Sequence, residues 1–135
     1  MKRVVVTGLG IISSIGLDAK EVTDSLKNGK SGITFSEEYE FHGFRSQVHG
    51  MPKINLSDHI DKRQLRFMGD GAAYNYIAME QAIKDSGLTE TEISNERTGL
   101  IVGSGGPSTK NLFAAHQIVL EKKSPKRMGP FMVTR

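Results

Sequence analysis

Reactive side chains are few and poorly spaced in this sequence. The 135 residues contain no cysteine, which excludes disulfides, thiolate zinc sites and cysteine nucleophiles within the chain. The four histidines show no metal-site spacing, either with each other or with nearby carboxylates. They are His42, His49, His59 and His116. We therefore expect neither a bound metal nor a cofactor.

The first glycine-rich turn lies within residues 3–16, RVVVTGLGIISSIG. Gly8 and Gly10 after a β-branched run suggest a dinucleotide-binding fingerprint, but the third glycine of that motif would fall at Ser13. The residues after the turn are also a poor start for a helix. Nucleotide binding is therefore disfavoured, and the glycines predict a turn whose backbone is packed too closely for side chains.

The second glycine-rich turn is GSGGP at 103–107. It follows a predicted strand, and ligands of open α/β sheets bind at the carboxyl ends of strands. Gly106 in particular removes a side chain from the space next to this turn. A tight turn between strand and helix, without any ligand, explains the same residues equally well.

Two groups of basic residues are the remaining candidates for binding. The groups are Lys62, Arg63 and Arg66, and then Lys122, Lys123, Lys126 and Arg127. They are ordinary solvated surface unless the fold brings them together, in which case they form a patch for an acidic partner. Neither group is interleaved with aromatic residues, which disfavours a single-stranded nucleic acid as the partner.

Composition limits the class of protein further. The net charge is +3 and the isoelectric point is about 9.2, which is only mildly basic and below what a dedicated nucleic-acid binder needs. No apolar run approaches the roughly 18 residues of a membrane span. The length fits one domain. We expect a soluble, cytoplasmic protein that binds no nucleic acid.

The predicted elements alternate between strands and helices. Continuous apolar runs at 4–6 and 98–102 are typical of strands buried on both faces of a parallel sheet. Helices are predicted over 18–26, from Leu65 to Ser86, and from a cap at Ser108 or Thr109 to about Glu121. This alternation predicts an α/β fold that begins at the start of the chain.

The long helix carries one apolar stripe at steps of three and four residues. The stripe is Leu65, Met68, Ala72, Tyr76, Met79 and Ile83. Gly69 and Gly71 interrupt it, and we interpret them as sites where another backbone approaches closely, with a local weakness of the helix as the alternative. Asp70 between them needs a hydrogen-bond partner only if it is buried.

The connecting segments are less regular. Residues 31–56 show no sustained period and predict a long loop, which is either functional or packed against another part of the protein. Residues 88–97 form a polar connector with room for one helical turn. Residues 131–133 begin another apolar element.

Taken together, these segments resemble the condensing enzymes of fatty-acid synthesis, and in particular the amino-terminal part of a type I β-ketoacyl-acyl-carrier-protein synthase. The matching stretches occur in order along nearly the whole chain. They are RVVVTGLGIISSIG at 3–16, NGKSGITFS at 28–36, RFMGD at 66–70, YIAMEQAIKDSGL at 76–88, GLIVGSGGPS at 99–108 and MGPFMVTR at 128–135.

The resemblance implies a thiolase-like α/β fold with α-β-α-β-α layers, in an enzyme that forms homodimers. Enzymes of this family hold an acyl group on a cysteine and join it to malonyl carried by acyl carrier protein, with loss of carbon dioxide. Two histidines stabilise the enolate and the thioester oxyanion that develop during this reaction. The family's cysteine and histidines lie beyond the position matching Arg135, so no catalytic residue is expected among these 135.

The site residues implied by the resemblance are therefore peripheral to the chemistry. Five basic residues match positions that contact the acidic carrier protein: Lys62, Arg63, Arg66, Lys123 and Lys126. Gly106 matches a small residue beside the acyl pocket. We expect residues 1–135 to be the amino-terminal part of a synthase domain, truncated before the catalytic cysteine and inactive alone. The alternative is a non-catalytic module that binds an acidic partner through its basic patches.

Overall fold

A computed structural model describes residues 2–135 and contains both helices and a small sheet. In chain order the elements are α1 (Ala19–Lys27), β1 (Ile33–Phe35), α2 (Glu37–Phe41), β2 (Val48–Gly50), α3 (Lys62–Leu65), α4 (Asp70–Ser86), α5 (Glu90–Ile93) and α6 (Thr109–Lys122). Single 3₁₀ turns occupy Leu56–Asp58, Pro125–Met128 and Pro130–Val133. The described residues cluster into a first unit, 2–54 with 77–88, and a second unit, 55–76 with 89–135.

Helix α1 forms in the first unit where the sequence predicts it. The side chain of Asp18 accepts a hydrogen bond from the backbone N–H of Glu21 at 2.8 Å and so caps the helix. The helix ends at Lys27 with Asn28 as its cap, before Gly29 takes a left-handed φ of 61°. The buried hydroxyl of Ser25 donates to the carbonyl of Ile15 at 2.6 Å, which ties α1 to the preceding turn.

The predicted loop over 31–56 is wrong, because this segment contains an antiparallel pair of strands. β1 pairs with β2 in a register that places Thr34 opposite His49. Ser36 caps α2 between the two strands by accepting from the N–H of Tyr39. Strands of three residues are too short to produce a recognisable alternation in the sequence, so the pattern gave no signal for them.

The glycine-rich segment at 8–11 packs directly on α4. A Cβ added to Gly8 would fall inside van der Waals contact of the Ala82 carbonyl oxygen, and one added to Gly10 would do the same at Ala78. A Cβ on Gly16 would lie 2.6 Å from the backbone nitrogen of Val22. The prediction that side chains do not fit at this turn is therefore confirmed.

Side chains of α4 satisfy the polar backbone groups of the same segment. The N–H of Leu9 donates to the Asp85 carboxylate at 3.0 Å, and the N–H of Ile11 donates to the Gln81 side-chain oxygen at 3.0 Å. The Gln81 amide also donates to the carbonyl of Leu17 at 2.7 Å. Because these donors are not paired in a sheet, the helix takes the place of a neighbouring strand for them.

The two predicted strands at 4–6 and 98–102 do not form in the described chain, and these predictions are wrong here. Each segment runs without a β-ladder. Val4 is 90% exposed and Ile101 is 97% exposed. A strand exists only through hydrogen bonds to a neighbouring strand, and neither segment has such a neighbour among the described residues.

Helix α4 begins at Asp70, five residues later than predicted, because α3 ends at Leu65 and residues 66–69 separate the two helices. Gly69 therefore precedes the helix, and a Cβ there would lie 3.0 Å from the side-chain Cβ of Ser108. Nothing lies within 4 Å of a Cβ on Gly71. The interpretation of both glycines as sites of close backbone approach is wrong.

The apolar stripe of the long helix is also shifted from its predicted position. Ala72 and Met79 are exposed, whereas Ala73 and Ile77 are buried. Ile60 is the remaining buried apolar side chain among residues 2–135. No helix in this described range is long and apolar enough to cross a membrane.

Two helices of the second unit, α5 and α6, follow the sequence prediction closely. The polar connector holds one short helix, α5, at whose start the Glu92 carboxylate accepts from both the backbone N–H and the hydroxyl of Thr89, at 2.8 and 2.7 Å. These bonds from Thr89 hold the pKa of the Glu92 carboxyl below its usual value. Ser108 caps α6 by accepting from the N–H of Asn111 at 3.4 Å, and the helix runs to Lys122.

The close packing of segment 8–11 on α4 yields a stability prediction. We expect Gly10→Ala to lower the free energy of unfolding by roughly 3 kcal/mol or more, because the added methyl group meets backbone atoms that cannot move aside. Gly71→Ala is the matched control and should raise it by up to about 1 kcal/mol, because the site is open and helical. Urea unfolding of both variants measures the difference, and similar effects would contradict this packing.

Candidate functional site

Both groups of basic residues lie in the second unit. That unit contains ten lysine and arginine residues against seven acidic ones, whereas the first unit contains eight of each. The whole net charge of +3 therefore belongs to the second unit. An acidic partner that approaches the protein is attracted to this unit rather than to the chain as a whole.

The first basic group lies on and just after α3. Asp61 caps this short helix by accepting from the backbone N–H of Arg63 at 2.7 Å, and Arg66 occupies the position after its last residue. The side chains of Lys62, Arg63 and Arg66 are exposed. Among residues 2–135 the one salt bridge joins Lys110 to Asp70 at 3.3 Å. Within this described range, the three charges therefore form no ion pair with a carboxylate.

Arg66 differs from its neighbours because its guanidinium contacts two aromatic rings. The Cζ atom lies 4.9 Å from the centroid of Phe67 and 4.9 Å from the centroid of Phe131. The two rings meet edge to face, with centroids 4.9 Å apart and planes at 89°. The backbone carbonyl of Arg66 also accepts a hydrogen bond from Nε of Arg135 at 2.7 Å.

The second basic group follows the end of α6. Lys122 is the last residue of the helix, and Lys123 adopts a left-handed conformation with φ of 49°. The 3₁₀ turn Pro125–Met128 contains Lys126 and Arg127 and packs back against α6. All four basic side chains are exposed.

The contact between Arg66 and Phe131 brings the two segments together. Phe131 follows Lys126 by five residues, so the segment after the second basic group reaches the end of the first. Sequence reasoning missed this aromatic contribution. The adjacent pair Arg66 and Phe67 was a local signal for it, but nothing in the sequence relates Phe131 to a residue 65 positions earlier.

The glycine turn at 103–106 is open. The hydroxyl of Ser104 donates to the Gly106 carbonyl at 2.9 Å, and nothing lies within 4 Å of a Cβ built on Gly106. Helix α6 begins three residues later and carries an open apolar hollow of about 540 Å³. Its lining residues are Thr109, Leu112, Phe113 and His116. A role for Gly106 at an acyl pocket stays a prediction.

The remaining polar groups of the second unit form a structural cluster. Asp70 is half-buried and forms the ion pair with Lys110, which gives it the partner that a shielded carboxylate needs. Burial, with a smaller contribution from the Asp70 charge, raises the pKa of Tyr74. Within residues 2–135 no three histidine, aspartate or glutamate side chains are grouped closely enough to hold a metal ion.

Two relatives that are similar to this chain in sequence share one name. The chain is 50% identical over 135 residues to 3-oxoacyl-[acyl-carrier-protein] synthase 1 of Haemophilus influenzae. It is 46% identical over 136 residues to the enzyme of the same name from Escherichia coli. All of this chain is covered in both matches, but the chain spans only about a third of each relative, 33% and 34%.

Solved structures agree with the sequence relatives. The ishigamide ketosynthase/chain length factor matches with a TM-score of 0.82 at 28% identity, over 97% of this chain and 33% of that one. A β-ketoacyl synthase from Burkholderia phymatum matches with a TM-score of 0.77 at 26% identity, over 98% of this chain and 33% of that one. These matches confirm the predicted α/β, thiolase-like fold class.

The family comparison covers the full length of the sequence. Residues 1–135 match the family described as β-ketoacyl synthase, N-terminal domain. The ordered motifs, the mixed helix and sheet architecture and the ketosynthase neighbours all agree with this match. The chain therefore belongs to the β-ketoacyl synthase N-terminal domain family.

Proposed function

We propose that this chain is the amino-terminal part of a β-ketoacyl-acyl-carrier-protein synthase and supplies the surface on which the carrier protein docks. The observation that carries this proposal is the exposed, unneutralised basic surface of the second unit. Relatives named 3-oxoacyl-[acyl-carrier-protein] synthase 1 support it. In this proposal the docking residues are Lys62, Arg63, Arg66, Lys123 and Lys126.

In the proposed reaction a cysteine thiolate first takes the acyl group from its carrier. Malonyl on the carrier protein then loses carbon dioxide, and the resulting carbanion attacks the acyl carbonyl and displaces the thiolate. These 135 residues contain no cysteine, so the nucleophile comes from outside them. We further propose that the working enzyme is a homodimer, as the resemblance implies, and that it is cytoplasmic, as the composition leads us to expect.

Lys123 adds a structural argument for the docking surface. Its φ of 49° is a conformation that costs a non-glycine residue roughly 1 kcal/mol or more. Glycine is the usual residue where a helix ends in this way. A lysine at this position lowers the stability of the helix end but provides an exposed positive charge three residues before Lys126, which is consistent with a binding role.

The proposed acyl-pocket role of Gly106 gives a test of the condensing function. We expect Gly106→Met to leave folding unchanged, because the site is open, and to slow condensation of long acyl primers more than short ones in the complete enzyme. Gly103→Met is the matched control, since nothing lies within 4 Å of a Cβ there either. Product chain lengths are measured with acyl and malonyl carrier protein as substrates.

The residues 1–135 alone should give no product in the same assay, because they contain no thiolate nucleophile. Condensation by these residues alone would contradict the proposal that the nucleophile comes from outside them. Carrier-protein binding by a complete protein that condenses no primer would favour the non-catalytic binding module instead.

Charge reversal tests the docking surface itself. We expect Arg66→Glu and Lys126→Glu each to weaken carrier-protein binding by roughly five- to ten-fold at low salt, because each turns an attraction into a repulsion. The loss should shrink as ionic strength rises past about 0.15 M. Lys20→Glu, an equal change of charge on the first unit, is the control. Isothermal titration measures the affinities, and a loss equal to that of the control would contradict the surface.

Lys123 gives a prediction in which stability and binding change in opposite directions. Lys123→Gly should raise the free energy of unfolding by about 0.5–1 kcal/mol, because glycine relieves the left-handed conformation, and should weaken carrier-protein binding. Lys122→Gly is the control and should lower stability by about 1 kcal/mol, because Lys122 is helical. A Lys123→Gly variant that binds as tightly as the parent would remove Lys123 from the docking surface.

A further inference from the structure

Arg66 is the one cation of the proposed docking surface with a fixed environment. Its guanidinium lies 4.9 Å from each of two ring centroids, and the rings are nearly perpendicular. The side chains of Lys62, Arg63, Lys123 and Lys126 make no ring contact, hydrogen bond or ion pair within residues 2–135. The surface therefore combines one held cation with several mobile ones.

The segment that carries Phe131 is itself braced. Gly129 has a φ of 80°, which starts the 3₁₀ turn Pro130–Val133. The Thr134 hydroxyl donates to the carbonyl of Phe131 at 3.0 Å, and Arg135 donates to the carbonyl of Arg66 at 2.7 Å. The bond from Arg135 attaches this segment to the residue after α3, and the bond from Thr134 closes the turn on itself. Together they keep the backbone of Phe131 close to Arg66.

Aromatic contact orders an arginine without consuming its charge. A guanidinium over a ring face keeps its N–H donors at the edge of its plane, where a carboxylate can accept two of them. A carboxylate neighbour would have ordered the same side chain but neutralised it. An exposed side chain that is already ordered loses less rotamer freedom when a partner binds.

We infer that Phe67 and Phe131 are positioning residues that hold the Arg66 guanidinium as a preformed donor for a carboxylate on an acidic partner protein. The identity of that partner as the carrier protein rests on the proposed function. The modest net charge of the chain, with the basic residues of this surface confined to two short groups, suits scattered carboxylates on a protein better than a continuous phosphate backbone. Arg66 then fixes the register of the partner, and the mobile lysines supply attraction at longer range.

The first measurement concerns the side chain alone and needs no partner. In a ¹⁵N-labelled full chain, we expect the Arg66 Nε–Hε resonance to be shifted by ring currents and its Nε motion to be restricted relative to that of Arg63. Phe131→Leu should bring both values towards those of Arg63, whereas Phe131→Tyr should retain them. Equal values for Arg66 and Arg63 in the parent chain would overturn the inference.

The second measurement concerns binding, with purified acyl carrier protein as the probe. We expect Phe131→Leu and Phe67→Leu each to weaken binding by about three-fold and Phe131→Tyr to restore it. Arg66→Lys should weaken it by roughly five-fold, and the matched variant Arg63→Lys by less than about two-fold. Phe131→Leu should add little to Arg66→Lys, because both remove the same held guanidinium.

The outcomes separate this inference from the proposed function. If charge reversal at Arg66 and Lys126 weakens carrier binding but Phe131→Leu does not, the docking surface stands and the positioning role fails. If the carrier protein does not bind at all, a hexaglutamate peptide replaces it as the probe. Weaker peptide binding in Phe131→Leu, with rescue by Phe131→Tyr, would then support the positioning role without the carrier, and unchanged peptide binding would overturn it.

Discussion

The contact between segment 8–11 and α4 sets the geometry of the first unit. Two residues of extended chain advance about 6.6 Å, and four residues of helix advance about 6 Å. The near match lets the N–H groups of Leu9 and Ile11 meet side chains one helical turn apart, at Asp85 and Gln81. The hydrogen bonds are possible only at close range, and glycine at 8 and 10 provides that range. Both the packing and the hydrogen bonding of this segment thus depend on glycine, which has no side chain, at positions 8 and 10.

The prediction of elements from sequence succeeded where the signal was local. The caps at Asp18 and Ser108 each involve residues within three positions, so the two helices they begin were predicted close to their observed starts. The short helix α5 lies in the polar connector that was predicted to have room for one helical turn. The strands at 4–6 and 98–102 failed for the opposite reason. Their residues favour a buried sheet, but strand formation depends on a partner that the described chain does not provide.

The long helix shows how periodicity can indicate an element and misplace its buried face. Steps of three and four residues from Leu65 correctly predict a helix that ends at Ser86, yet the buried positions are Ala73 and Ile77. Small residues such as alanine carry little weight in an apolar pattern, although they are the ones that allow close packing. Gly69 does pack closely against another residue, Ser108. The contact is with a side chain, however, and not with a backbone as the sequence analysis expected.

The candidate site also combines features that depend on local sequence with one that depends on a long-range contact. Its charges are evident from the sequence, because clustered lysines and arginines need no folding to be counted. The ring contacts of Arg66 are not evident from the sequence, because Arg66 and Phe131 meet only through the turn that Gly129 begins. A surface of unconstrained charges attracts many acidic proteins alike, whereas a guanidinium held in one orientation binds well only to a carboxylate at one position. In the proposed docking role, specificity therefore depends on the long-range contact between Arg66 and Phe131, and general affinity depends on the local basic sequence.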